Sequence, residues 1–101
     1  MTKKIKTRKH IQSVHFYRRM IERFNIFITK YELENLKKQI TIGTSVFIEK
    51  SSNRVSLHGV KFNEIWLVVI YDKIRNELVT VKPKTDLAYK VLEEKINEKN
   101  M

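Results

Sequence analysis

The sequence has no cysteine, only two glycines and a single proline in 101 residues. Without cysteine the chain cannot form disulfides or thiolate metal sites, and the simplest inference is a cytoplasmic protein. Two isolated glycines, Gly43 and Gly59, exclude a glycine-rich loop that wraps a phosphate. No apolar run reaches the roughly 20 residues of a membrane-spanning helix, and no apolar segment follows the basic N-terminus, so we expect neither a membrane span nor a signal peptide.

The chain also lacks the residue sets that hold catalytic metals. Its three histidines are not spaced as His-x-x-x-His, which together with the missing cysteines argues against zinc. Asp72 and Asp86 are the only aspartates, which argues against a two-metal carboxylate site. We therefore expect no metal and no other cofactor.

Positive charge is present in excess. The chain has 21 lysines and arginines against 11 acidic residues, a formal net charge of +10, and residues 1–31 hold nine of the cations and a single acid, Glu22. Such a concentration is typical of proteins that bind a polyanion, most often nucleic acid, although a surface that only aids solubility has the same composition. The predicted contacts come from a basic arm over residues 1–12 and from the helix after it: Lys3, Lys4, Lys6, Arg8, Lys9, Arg18 and Arg23.

An apolar pattern with a period of four follows the arm. Phe16, Met20 and Phe24 fall on one helical face, which predicts an amphipathic helix from about Val14 to Asn25. Ser13 is a candidate N-cap, and a start near Lys9 or His10 is the alternative.

A second stripe on the same predicted helix is polar. His15, Arg19 and Arg23 also recur every four residues, one position before the apolar stripe. An imidazole transfers protons near neutral pH, and a guanidinium one turn away can bind a phosphate. The alternative is that His15 only covers the start of the helix.

The rest of the chain predicts a second helix, four strands and a third helix. Thr29 and Glu32 form a capping box that starts the second helix at Lys30, which runs to about Ile40. Period-two alternation predicts an antiparallel meander over residues 44–82, with the run 64–71 buried on both faces. The third helix is predicted over residues 86–99. The fold class is therefore α+β, a single domain over residues 13–101 with the helices on one face of the sheet.

Two details of the later helices follow from the same patterns. Lys37 and Lys38 are expected to face water. The buried stripe of the third helix is expected to be Leu87, Val91, Leu92 and Ile96.

The second strand alternates between polar and apolar residues. Arg54, Ser56 and His58 point to one face and an apolar set points to the other. We expect the polar face to be open to a ligand, with Thr80 of the fourth strand on the same side. If the small sheet twists strongly, this face meets the His15 stripe in one cleft.

The motif His15-x-x-x-Arg19-Met20-x-x-Arg23, followed by a second helix and a four-stranded meander that ends in Val79-Thr80-Val81, resembles the barnase–EndoU–colicin–RelE class of small RNase folds. It is most similar to bacterial and phage domains that open with a His-x-x-x-Arg-Met-x-x-Arg-like helix, and the resemblance covers about residues 13–82. It implies a metal-independent RNase, often a toxin, in which the neighbouring 2′-hydroxyl attacks the phosphodiester. By position, His15 and Arg19 match the motif helix and Thr80 matches a polar residue of the last strand. The class also has members without demonstrated activity.

Two kinds of function therefore remain open. The first is a small basic RNA-directed protein, a toxin-like endoribonuclease, in which His15 or His58 acts as base on the 2′-hydroxyl, the other histidine is a candidate acid, and Arg19 and Arg54 hold the scissile phosphate. The alternative is a non-catalytic module of phage or mobile-element origin that binds nucleic acid through the same cationic face or inhibits a host protein. The expected partner is RNA, and an acidic host protein or a cognate antitoxin is a further candidate.

Overall fold

The computed structural model describes the backbone of residues 8–99 and the side chains of residues 14–98. Four strands form one antiparallel sheet in the order β1-β2-β3-β4. The predicted α+β fold, with two helices before a meander and one after it, is confirmed. In chain order the elements are α1 (Arg8–Phe24), α2 (Lys30–Thr41), β1 (Val46–Lys50), β2 (Val55–Phe62), β3 (Ile65–Asp72), β4 (Glu77–Val81) and α3 (Ala88–Lys99).

Helix α1 is longer than predicted at its start and ends where predicted. It begins at Arg8, so Ser13 lies inside the helix and is not its N-cap, and the alternative start near Lys9 is the closer prediction. No glycine or proline interrupts this stretch, so nothing stops the helix from extending through it. At the other end Asn25 has a φ of 56°, and its N–H donates to the carbonyl of Ile21 at 2.9 Å. Asparagine tolerates this left-handed conformation, which ends the helix.

Helix α2 begins with the predicted capping box. Thr29 Oγ1 accepts from the Glu32 N–H at 3.1 Å, and Glu32 Oε1 accepts from the Thr29 N–H at 2.8 Å. Ile28 and Leu33, on either side of the cap, are both buried in the same core. Their positions are those of a hydrophobic staple, which fixes the direction in which the chain enters the helix.

The sheet is covered on both faces, which corrects the prediction that all helices lie on one. Leu67 and Val69 of β3 are buried in a core with α1 and α2, whereas Val68 between them is buried in a second core with Leu92 of α3. Adjacent strand residues point to opposite faces, so α3 lies across the sheet from the first two helices. The predicted burial of β3 on both faces is confirmed, and it is the physical reason that both faces need a helix.

Helix α3 buries a different stripe from the one predicted. Leu87 precedes the helix and is 78% exposed, and Val91 is 37% exposed. Leu92 is buried as predicted, with the predicted Ile96 and with Ala88 packed around it. The helix is rotated about its axis relative to the prediction, so that Tyr89 faces the sheet in place of Val91.

The Tyr89 hydroxyl joins α3 to the end of the sheet. It donates to the carbonyl of Lys82 at 2.7 Å and accepts from the N–H of Val68 at 3.1 Å. Lys82 directly follows β4, and its N–H still donates to the carbonyl of Val68 in β3 at 2.8 Å. The Tyr89 hydroxyl bridges the other two backbone groups of this residue pair.

The contact between α3 and the sheet gives a stability prediction at Gly59. A Cβ atom on Gly59 would clash with Leu92 Cδ1, and both residues are buried. Gly59→Ala should therefore lower the free energy of unfolding by about 1–3 kcal/mol through overpacking, measured by urea unfolding. Because Leu92→Ala makes room for the new methyl group, the double variant should lose less than the sum of the two single losses. Strictly additive losses would contradict this packing.

Candidate nucleic-acid interface

A groove of about 370 Å³ lies between α1 and the C-terminal end of β4. Three cations and an imidazole line it, which makes it a candidate site for an anion. Its lining residues are His15, Arg19, Arg23, Val79, Thr80, Lys82 and Pro83. The structure thus brings together the predicted helix stripe and the predicted strand residue Thr80.

The amphipathic pattern of α1 places its polar stripe in this groove. Phe16 and Met20 are fully buried against the sheet. His15 and Arg19 precede them by one position each, so they lie along the boundary between the helix and the sheet. Helix α1 packs chiefly on β4, which makes that boundary the edge of the β4 strand.

A β-bulge decides which way the β4 residues point. The register between β3 and β4 shifts at Val79, after which Thr80 pairs with Ile70. His58 of β2 pairs with the next β3 residue along, Val69. Paired residues point to the same face and adjacent ones to opposite faces, so Thr80 and His58 lie on opposite faces of the sheet. The prediction that Thr80 shares a face with Arg54 and His58 is wrong because alternation alone does not reveal the bulge.

Two of the groove cations have acidic neighbours at the rim. Arg19 Nη1 donates to Glu22 Oε1 at 2.6 Å, and Lys82 Nζ lies 3.7 Å from Asp86 Oδ2. Surface ion pairs of this kind contribute about 0–1 kcal/mol each. A doubly hydrogen-bonded phosphate can therefore replace either carboxylate as the partner of its cation.

Arg23 has a structural contact as well as a place in the groove. Its Nη1 donates to the carbonyl of Val81 at 2.5 Å. Because β4 is an edge strand, this bond occupies a backbone acceptor at the margin of the sheet and ties α1 to it. This hydrogen bond holds α1 against β4, and these two elements border the groove.

The Thr80 hydroxyl adds a polar atom without a partner. Its Oγ1 is buried and has no hydrogen bond within the described residues. A buried hydroxyl that lacks a hydrogen bond costs about 1–3 kcal/mol. Thr80 lines the groove, but it pairs with Ile70, which packs on the α3 side, so its hydroxyl lies on the opposite face of the sheet from α1.

Arg54 does not reach this groove. Its Nε and Nη2 donate to the Asp72 carboxylate at 3.3 and 2.8 Å, and hydrogen bonding from Arg54 lowers the pKa of Asp72. Arg54 lines a separate cavity at the β1–β2 turn. The prediction that the His15 stripe of α1 and the polar face of β2 meet in one cleft is therefore wrong. Strand β3 separates β2 from β4, and the twist of the sheet does not bring them together.

His58 is a half-buried, fully partnered histidine. Its Nδ1 lies 3.2 Å from Ser45 Oγ and its Nε2 lies 2.8 Å from Ser56 Oγ. The ring makes edge contacts with Phe47 and Tyr71, and burial lowers its pKa. The prediction that the polar face of β2 is open is wrong at this position, and the geometry does not place His58 in the groove with His15.

The environment of His58 predicts a loss of stability in acid. Its pKa is lowered from the ordinary value of 6.5, so the unfolded chain binds this proton more readily than the folded protein does. The contribution of neutral His58 to the free energy of unfolding is fully present above its ordinary pKa of 6.5. It should be lost as the pH falls from there through the lowered pKa of the folded protein. His58→Gln should remove this part of the decrease in urea unfolding between about pH 7 and about pH 5. An unchanged pH dependence in the variant would contradict the assignment.

Sequence reasoning missed a buried ion pair that joins α2 to β4. Lys37 was expected in water but is buried, and its Nζ lies 3.3 Å from Glu77 Oε1 and 3.1 Å from Glu34 Oε2. Burial by itself would lower the pKa of Lys37, but the hydrogen bonds and attraction to the two glutamates outweigh it and raise the pKa overall. The available signal was its spacing, because Lys37 follows the buried Leu33 by four positions and so shares its face.

Most of the predicted nucleic-acid contacts of the N-terminal segment come from residues that the structure does not describe in full. Lys3, Lys4 and Lys6 lie outside the described residues, and for Arg8 and Lys9 the description covers the helical backbone alone. Arg18 is exposed on α1, outside the residues that line the groove.

Over the described residues, no cluster of three or more potential metal-ligating His, Asp or Glu side chains occurs. In the same part of the chain, the helices are too short or too polar to cross a membrane. Comparison of the chain with models of protein families, with curated proteins and with solved structures finds no match. The resemblance to the small RNase folds therefore stays a prediction from the motif.

Proposed function

We propose that this protein binds RNA and that the groove between α1 and β4 holds a phosphate of the RNA backbone. The observation that carries the proposal is the grouping of Arg19, Arg23 and Lys82 around one groove together with His15. Guanidinium and ammonium groups form charge-assisted hydrogen bonds with phosphate oxygens. Release of the counterions condensed on the nucleic acid adds a favourable, sequence-independent contribution.

Charge beyond the groove supports a polymeric ligand over a small anion. Arg18 is exposed next to Arg19 on the same helix, and Lys84 is exposed just after Pro83. The chain carries a formal net charge of +10. A strand of RNA with one phosphate in the groove would therefore continue along a positively charged surface in both directions.

The proposal is tested by the salt dependence of RNA binding. Fluorescence anisotropy with a labelled single-stranded oligonucleotide should show an observed association constant that falls linearly with the logarithm of the salt concentration. The slope is expected to be about 0.7 for each phosphate contact in a single strand. Absence of binding at low salt, or binding that salt leaves unchanged, would overturn the proposal.

Cleavage of RNA is a second candidate function, favoured by the place of His15. Its exposed imidazole lines the groove together with Arg19. A histidine beside a bound phosphate can take the proton of the neighbouring 2′-hydroxyl, whose oxygen attacks phosphorus as the bond from phosphorus to the 5′-oxygen breaks. The leaving 5′-oxygen takes a proton from the imidazolium or from water, and the reaction needs no metal. His58 does not line the groove, so the proposal assigns this role to His15 alone.

This second function predicts a specific effect of His15→Gln. RNA cleavage in the presence of EDTA should fall by about 10²–10⁴-fold, the usual contribution of a general base, whereas RNA affinity should stay nearly unchanged. His58→Gln serves as the matched control and should leave cleavage intact. Wild-type protein that binds RNA without cleaving it would restrict the function to binding.

A further inference from the structure

A second cationic cavity lies at the β1–β2 turn, at the opposite end of the sheet from the end of β4. It has a volume of about 150 Å³ and is lined by Phe47, Lys50, Ser52, Asn53, Arg54, Val55, Ser56 and Lys73. We propose that single-stranded RNA makes a second contact here, with a phosphate on the cations and a base stacked on Phe47. This inference rests on the proposed RNA binding and identifies the form of RNA that is bound.

Arg54 is held in one orientation beside this cavity. Both oxygens of the Asp72 carboxylate accept from its guanidinium, and Asp72 is itself fixed by the backbone N–H groups of Ile74 and Arg75. The Arg54 side chain nevertheless remains 44% exposed. A guanidinium that is oriented before binding loses little conformational entropy when a phosphate arrives.

The two lysines of the cavity add positive charge next to Arg54. Lys50 and Lys73 are exposed, and neither forms an ion pair within the described part of the chain. Glu49, the acid next to Lys50, pairs with Leu57, which is buried in the core on the α3 side. The cavity therefore presents net positive charge to solvent.

Phe47 supplies an aromatic surface next to these cations. It is 52% exposed, although its neighbours Val46 and Ile48 are buried. The ring of His58 lies 5.6 Å away at an interplanar angle of 75°, so the phenyl group is supported from one side and accessible from the other. Exposed aromatic rings beside cations are the usual stacking surface for unpaired bases, whereas bases in a duplex do not offer their faces.

The two sites are close enough for one strand. β4 and β2 are separated by a single strand, and neighbouring strands lie about 4.8 Å apart. Along the strands, Val55 pairs with Asp72 and Val81 pairs with Val69, which adds a separation of roughly 10 Å. A few nucleotides would therefore span the distance from the groove to the turn. The second site predicts that single-stranded RNA binds more tightly than a duplex of the same length.

The test compares an RNA oligouridine with a self-complementary RNA duplex of matched length by fluorescence anisotropy. Phe47→Ala should weaken oligouridine binding by about tenfold and leave duplex binding unchanged. Phe47→Leu, which keeps apolar packing on His58 but removes the ring, should weaken it equally. Phe47→Trp should retain it. Phe27→Ala is the matched control, because Phe27 is an exposed phenylalanine on the α1–α2 connection.

The contribution of the two lysines is measured separately, through the salt dependence of binding. The double variant Lys50→Gln/Lys73→Gln should reduce the salt slope for oligouridine by about 0.7 per lost phosphate contact. If oligouridine binding depends on Arg19 but Phe47→Ala behaves like Phe27→Ala, this inference is overturned and the groove proposal stands. If the wild-type protein binds neither RNA, both fall together.

Discussion

Replacing Lys37 with methionine should lower the free energy of unfolding by about 3–5 kcal/mol, the cost of removing one partner of a buried ion pair. The substitution keeps the apolar part of the side chain but deprives the buried Glu77 carboxylate of an ammonium group 3.3 Å away. Small domains have a total stability of only about 5–15 kcal/mol, so this single change removes a large part of it. Urea unfolding followed by circular dichroism measures the loss.

Two further variants make this prediction specific. Lys38→Met changes the exposed neighbour and should alter stability by no more than about 0.5 kcal/mol. Lys37→Met/Glu77→Leu removes both charges and should recover most of the loss. Equal effects of Lys37→Met and Lys38→Met would show that the buried pair does not have the importance assigned to it.

Removing Arg19 and Lys82 together should weaken RNA binding by roughly two orders of magnitude at low salt. Each residue lines the groove, and a hydrogen bond to a charged group contributes about 1.5–3 kcal/mol. The Arg19→Gln/Lys82→Gln variant also loses cation–phosphate contacts, so its salt slope should fall in proportion. Anisotropy titrations at several salt concentrations measure both quantities.

A charge-matched control separates the groove from the net charge of the protein. Lys30→Gln/Lys38→Gln removes the same number of cations from α2, and neither residue lines the groove. We expect only a small loss of affinity in this variant. Similar losses in the two double variants would mean that RNA is attracted by overall charge and does not occupy the groove.

The features that were predicted correctly depend on local pattern. Thr29 and Glu32 cap α2 through residues three apart, and the apolar stripe of α1 needs only a period of four. The polar stripe of α1 follows from the same helix, because residues beside a buried stripe must lie at the helix–sheet boundary. This is why His15 and Arg19 could be assigned to one site from the sequence.

The features that were missed depend on register and on distant partners. The bulge at Val79 moves Thr80 to the other face of the sheet from His58, and nothing in the alternation of β4 signals it. Lys37 finds Glu77 forty residues later in the chain. The predicted burial of β3 on both faces implied that helices cover each face of the sheet. The order of the helices in the chain nevertheless favoured a single helical layer.

The most direct test of RNA binding in the groove is an NMR titration of isotopically labelled protein with a single-stranded RNA oligonucleotide. Binding at the proposed site predicts shifts in the signals of His15, Arg19, Thr80 and Lys82, and these shifts should weaken as salt is added. The signal of Val91, exposed on the α3 side, should stay in place. A titration in which the groove signals do not move while RNA binds elsewhere, or in which no signal moves, would contradict the proposal.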